Sequence, residues 1–136
     1  MATAAPRLRV GIDLVQVSRV AESLDRFGER FLRRLFTDEE IRYSESAPGL
    51  TAMRLAARFA AKEAARKALD LDGVGWREIE VRRAPTGAVE LVLHGAAAAS
   101  AGDLDALALS LSHEGDYATA VVVAHLGPRT TECSHP

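Results

Sequence analysis

Residues 52–69 read AMRLAARFAAKEAARKAL, a run without glycine or proline and built almost entirely from strong helix formers. They predict one long helix, around which the rest of the chain has to be arranged. Thr51 is placed to cap its start and Asp72-Gly73 to close it. Upstream, Thr37 with Glu40 three residues on forms a capping box, so a short helix over Asp38 to Ser46 comes before it and ends at Pro48-Gly49. Farther back, Val20, Leu24, Phe27, Phe31 and Leu35 recur at spacings of three and four, a helical segment broken near Gly28. The N-terminal stretch alternates instead. Leu8, Val10, Ile12 and Leu14 interleave with Arg9, Gly11 and Asp13, the pattern of a half-buried strand with Asp13 opposite the core-facing set.

Downstream, Ile79 and Val81, then Val89, Leu91 and Leu93, predict a hairpin around Pro85-Thr86-Gly87. Gly95 to Gly102 is alanine-rich and predicts a short helix. Leu107, Leu109 and Leu111 mark another strand, and the polar His113-Glu114-Gly115-Asp116 segment turns the chain into a last one, Tyr117 to His125. Strand, helices, then mostly strands is the order of an α+β fold, an antiparallel sheet packed against the long helix.

A length of 136 residues supports one domain, expected over 7–126, with 1–6 and 127–136 as flexible tails. Apolar residues make up 48% and charged residues 26%, and no apolar run approaches the roughly 18 residues of a membrane span. A soluble protein without a membrane partner is expected. Net charge is -2, against the basic excess of a nucleic-acid binder. The lone cysteine, Cys133, allows no intramolecular disulfide, and Met1 to Arg7 lacks the apolar stretch of a secretory signal. Cytoplasm is therefore the expected compartment.

Three segments carry candidate chemistry. Asp13 interrupts an apolar strand, with Arg19 beyond it; its bland alternative is a solvent-facing strand aspartate. Arg54, Arg58, Lys62 and Arg66 repeat every four residues, so a helix stacks them into a cationic stripe able to line a polyanion, with Glu63 on its flank. The alternative there is a solvated Glu63–Lys67 pair contributing about 0.3 kcal/mol. Ser112 and His113 end a strand where an anionic ligand could be met, but neighbours on a strand point to opposite faces, so they make no catalytic diad. His94, His125 and His135 have no supporting neighbourhood.

Taken together, Gly11-Ile12-Asp13 with a following arginine, Arg58-Phe59-Ala60-Ala61-Lys62-Glu63-Ala64 with Lys67 beyond, and Ser110-Leu111-Ser112-His113 before an apolar strand resemble the holo-acyl-carrier-protein synthases, the short 4'-phosphopantetheinyl transferases. The resemblance runs from about Arg9 to Ala124. It implies the phosphopantetheinyl transferase fold and transfer of 4'-phosphopantetheine from coenzyme A to a serine of an apo acyl carrier protein. Asp13 and Glu63 match two carboxylates that hold magnesium, which suits a hard cation that keeps waters and takes few protein carboxylates beside a substrate diphosphate. Arg58, Lys62 and Lys67 match residues around the coenzyme A phosphates, with Lys67 counted alongside the two carboxylates as catalytic. His113 matches a histidine that contacts the nucleotide end, and Ser112 beside it is counted with the coenzyme A-binding residues. Arg19, Arg30 and Phe31, with Arg26 and Arg33 nearby, resemble the face that docks the acidic carrier. Relatives assemble as trimers with active sites between subunits.

Two departures stand out. Gly87-Ala88-Val89 replaces a Gly-Lys-Pro turn that relatives often place against adenine, and the part played by Glu114 or Asp116 is left open. The expected reaction is in-line attack of the carrier serine on the β-phosphorus, releasing adenosine 3',5'-bisphosphate, with a metal-bound water or a nearby carboxylate as proton acceptor. Two rivals remain: a non-catalytic coenzyme A or carrier-binding module, and a metal-dependent phosphohydrolase of nucleotide diphosphates. Whether the carrier serves fatty-acid or polyketide synthesis is not decided by these residues.

Overall fold

A computed structural model describes residues 7–127. The expected tails, apart from Gly127, lie outside the described residues, as do Cys133 and His135. In chain order the elements are β1 (Arg7–Gln16), α1 (Val17–Phe27), α2 (Glu29–Leu35), α3 (Asp38–Glu45), α4 (Thr51–Leu69), a 3-10 turn (Trp76–Glu78), β2 (Ile79–Arg83), β3 (Val89–Leu93), α5 (Gly95–Ala101), β4 (Leu104–Glu114) and β5 (Tyr117–Leu126). The architecture is α+β, as the sequence predicts. The strands form two antiparallel sheets rather than one: a three-stranded sheet ordered β1-β5-β4 and a separate β2-β3 hairpin.

Helix α4 lies across the three-stranded sheet through an interface rich in small side chains. Ala60, Ala61, Ala64 and Ala65 on the helix and Ala118, Ala120 and Ala124 on β5 are fully buried. Small side chains let the two backbones approach closely, and Gly11 on β1 takes this to its limit. A Cβ at Gly11 would fall 1.9 Å from the carbonyl oxygen of Ala64. Only glycine fits there.

That contact fixes which face of β1 points inward, and it is the opposite of the one the alternation suggested. Gly11 is buried and Asp13 faces α4, while Leu8, Val10, Ile12 and Leu14 are 60–72% exposed. The strand period was legible. The inward face was not, because glycine and aspartate carry no apolar signal.

Thr37 and Glu40 form the full capping box at the start of α3, side chain to backbone in both directions. Gly28, at φ 53°, separates α1 from α2. Helix α4 departs slightly at both ends. Thr51 is its first helical residue with Leu50 at the cap position, and the chain leaves the helix at Asp70, which takes the left-handed conformation at φ 57°. A short polar side chain tolerates that geometry.

Candidate active site

The approach of β1 to α4 brings Asp13, Glu63 and Lys67 to one place. Lys67 Nζ donates to the backbone carbonyl of Ile12 at 2.9 Å and to Asp13 Oδ1 at 3.3 Å. Glu63 sits one helical turn before Lys67, so it is aligned along the same side of α4. Its carboxyl is held above the ordinary glutamate range, first by burial and then by the charge of Asp13, against the opposing pull of Arg66 and Lys67. Asp13 and Glu63 both line a cleft of about 570 Å³, together with Gln16, Arg19, Phe31 and Phe59. Two carboxylates brought together at a cleft and flanked by one lysine suit a hard divalent cation. Among the described residues there is no group of three or more His, Cys, Asp or Glu side chains that could hold a metal. Any cation here would complete its shell from a ligand and water.

The cationic stripe has a different fate from the one its spacing suggested. Lys62 is entirely buried: its ammonium donates to Glu40 Oε1 at 2.7 Å, to the carbonyl of Trp76 at 3.1 Å and to that of Ile79. All three of its donors are used. Lys62 is therefore corrected from a phosphate contact to a core ion pair, because helix α3 and strand β2 cover it. Glu40 is equally enclosed, accepting from the Thr37 and Val81 amides at 2.8 Å each. Burial lowers the Lys62 pKa, and Glu40 acts against that effect.

The arginines of the stripe pack on aromatic rings. The guanidinium carbons of Arg54 and Arg58 each lie 4.2 Å from the centre of Tyr43, and that of Arg66 lies 3.6 Å from Trp76. Arg83, from β2, also reaches Tyr43 and donates to its hydroxyl. For the phenol, burial is the largest single influence and raises its pKa, yet the Arg83 bond and the three positive charges together bring it below the usual value. Arg58 is almost wholly buried, and its Nε has no hydrogen-bond partner. Among the described residues no carboxylate lies within 4 Å of Arg54 or Arg58 or Arg83. The cluster has surplus positive charge.

A profile of the 4'-phosphopantetheinyl transferase superfamily matches residues 9–122. The chain belongs to that superfamily. A holo-acyl-carrier-protein synthase of Koribacter versatilis is 48% identical over 121 residues, covering 85% of this chain and 96% of the relative. One from Nitratidesulfovibrio vulgaris is 46% identical over 119 residues, covering 84% and 94%. Among solved structures, a Chronobacterium ammoniagenes ACPS–CoA complex superposes with a TM-score of 0.79 at 38% identity, covering 89% of this chain and 98% of that one. The Helicobacter pylori holo-acyl-carrier-protein synthase in complex with coenzyme A gives 0.75 at 29% identity, covering 85% and 98%.

Within this superfamily member the remaining expected site residues are spread out. Arg19, on the first turn of α1, reaches the cleft beside Asp13 and Glu63. Arg30 lies beyond the Gly28 break in a shallow groove with Phe27, Phe31 and Arg34. Phe31 is half-buried against Phe36, at 5.9 Å between ring centres, so Phe27 is the exposed aromatic of this region, with the Arg26 guanidinium 5.5 Å above it. Arg33 is tied to Glu29 at 2.9 Å. Ser112 and His113 sit on opposite faces of β4. Ser112 pairs across with Thr119 and so shares the outward face of Leu14, whereas His113 pairs with Ala118 on the α4 side. Both are exposed, two strands away from Asp13.

Several residues were invisible to pattern reading. Gly11 carries no motif beyond its place in Gly-Ile-Asp. Glu40 was legible as a capping residue, but its second partner, Lys62, lies 22 positions away. Nothing local marks Tyr43 and Trp76 as the lids of the arginine row. Asp116, left open above, turns out to cap α1: its Oδ1 accepts from the Ser18 amide at 2.9 Å and its Oδ2 from the Ser18 hydroxyl at 2.6 Å.

Proposed function

We infer that this chain transfers the 4'-phosphopantetheine group of coenzyme A to a serine of an apo acyl carrier protein, releasing adenosine 3',5'-bisphosphate. The observation that carries this reading is the convergence of Asp13 and Glu63 at one cleft, with Lys67 bonded to Asp13, in a member of the transferase superfamily. In the transfer the serine oxygen forms a bond to the β-phosphorus as the bond to the bisphosphate breaks, so the residues have mainly to position groups and balance charge. Asp13 and Glu63 would hold magnesium, which supplies charge neutralisation of the diphosphate when bound. Lys67 places a further cation beside the same carboxylates. Arg58, with Arg54 and Arg83 around Tyr43, offers surplus positive charge for a coenzyme A phosphate. Lys62 has no part in substrate contact.

The carrier is read as docking on α1 and α2 through Arg19, Arg26, Arg30 and Phe31. The exposed apolar face of β1, continued by Val123 and Tyr117 on β5, is read as the contact between copies in a homotrimer. Such an assembly would bring Ser112 and His113 of one copy toward the cleft of the next. No helix among the described residues is long and apolar enough to cross a membrane; the cytoplasm is proposed as the place of action.

Incubation with coenzyme A, magnesium and an apo carrier tests the reaction. Transfer adds the arm to the carrier protein. Consumption of coenzyme A without a carrier would replace it with a phosphohydrolase, and binding without either change would leave a non-catalytic module.

A further inference from the structure

We propose that Asp116 is a positioning residue: from the β4-β5 turn it fixes the first turn of α1 and thereby the approach of Arg19 to the cleft. This rests on the reading of α1 as a carrier-docking helix. Helix α1 has no cap of its own, since Gln16 occupies the cap position without a side-chain bond and its first turn has no acidic residue. The missing acceptor comes from 98 residues downstream. Asp116 Oδ1 takes the Ser18 amide, Oδ2 takes the Ser18 hydroxyl, and the backbone carbonyl of Asp116 takes the Val17 amide at 2.7 Å. Two successive amides at the helix start and one hydroxyl are thus held by one residue, whose charge also has the sign that a helix N-terminus favours. The Asp116 carboxyl is held below the ordinary aspartate range, chiefly by the Ser18 hydroxyl.

The side chain has no other duty in the turn. Glu114 and Tyr117 are paired across β4 and β5, leaving Gly115 and Asp116 as a two-residue loop in which Gly115 takes the positive φ of 55°. Asp116 does not supply the unusual backbone, so replacing its side chain leaves the turn intact. Arg19 directly follows Ser18, and its neighbours Val20 and Ser23 line the same cleft as Asp13 and Glu63. Loosening the first turn of α1 therefore moves the docking arginine without touching the carboxylates.

The experiment compares Asp116→Ala, Asp116→Asn and Arg19→Glu in steady-state kinetics and amide exchange. Loss of a helix cap corresponds to about a fivefold change in the affected equilibrium. The expected result for Asp116→Ala is faster exchange in the first two turns of α1 and a carrier KM raised about fivefold, with kcat and coenzyme A KM within about twofold of the parent. Asp116→Asn keeps one acceptor for the Ser18 amide and should recover part of both effects. If Arg19→Glu raises the carrier KM while Asp116→Ala leaves it unchanged, or raises both KM values alike, the positioning role is overturned. If Arg19→Glu itself leaves the carrier KM unchanged, the docking reading of α1 falls, and the functional part of this proposal falls with it.

Discussion

Lys62 and Glu40 form an ion pair of 2.7 Å with both side chains completely removed from solvent. It joins α4 to α3, and through the Val81 amide it joins both to β2. Removing one partner strands the other charge in the core, at about 3–5 kcal/mol. We predict that Lys62→Ala and Glu40→Ala each lower the melting temperature by about 10 °C. A substrate-phosphate role for Lys62 would instead leave the melting temperature unchanged and raise only the coenzyme A KM. Thermal unfolding beside kinetics at low temperature separates the two.

Gly11 makes the closest backbone approach in the site, so Gly11→Ala should be severe for so small a change. The added carbon would lie 1.9 Å from the Ala64 carbonyl oxygen, and backbone, unlike a side chain, has no rotamer by which to yield. Overpacking of this kind costs about 1–3 kcal/mol and often more where backbone is involved. The strand must lift, carrying Asp13 away from Lys67 and Glu63. Turnover should fall at temperatures where circular dichroism still reports a folded protein; full activity in Gly11→Ala would mean that the close approach does not set the site.

How much of this was legible beforehand depends on whether the signal was local. The helix over 52–69, the capping box of Thr37 and Glu40, the hairpin and the α+β order all follow from spacing within a few residues, and each is present. Asp13, Glu63 and Lys67 were found as members of motifs and do meet. What failed was orientation. The apolar residues of β1 look like core by composition, but the inward face is decided by contact between Gly11 and Ala64, fifty-three positions apart, which no window of sequence contains. The stripe Arg54-Arg58-Lys62-Arg66 has the spacing of a helix face, yet spacing does not say whether that face meets water or Tyr43 and Trp76. The Lys62 ammonium and the Asp116 cap were missed for the same reason: their partners are distant in sequence.

Glu63 gives a pH signature. Its folded pKa is raised, so the folded state holds the proton more tightly than the unfolded chain, whose glutamates titrate near about 4.3. Its contribution to stability is then fully present below the unfolded pKa and is lost as pH rises through the folded one. In metal-free protein, Glu63→Gln should match the parent at low pH and melt progressively higher than it as pH rises toward neutrality. Turnover of the same variant, and of Asp13→Ala, should fall about a hundredfold or more. Equal melting temperatures across the range would show that neither burial nor the Asp13 charge raises the Glu63 carboxyl.

The outward face of β1 predicts association. Four aliphatic side chains in a row, each more than half exposed, form a patch that a monomer in water would not favour. Sedimentation should report a trimer for the parent and a smaller species for Val10→Glu or Ile12→Glu, whose side chains point away from α4 and can be charged without disturbing the core. If sites lie between copies, the dissociated variants lose activity together with the assembly. A charged variant that stays associated would show that another surface holds the copies together.

Carrier recognition should be separable from chemistry by charge reversal at Arg19 and Arg30. The Gly28 break divides the arginines between two helices, so Arg19 belongs to the cleft and Arg30 to the groove with Phe27 and Arg34, while Arg33 is engaged by Glu29 and is the least available of them. An acidic carrier feels such a surface through long-range attraction that speeds encounter and is screened by salt, over a Debye length of about 10 Å at 0.1 M. Arg19→Glu and Arg30→Glu should therefore raise the carrier KM strongly at low salt and less at high salt, with coenzyme A KM nearly unchanged. Arg33→Glu serves as the internal comparison, because its exposed pair with Glu29 is screened by solvent and its loss should shift neither constant much. A carrier KM that ignores all three reversals, or a parent enzyme without salt dependence, would place docking on another face of the protein.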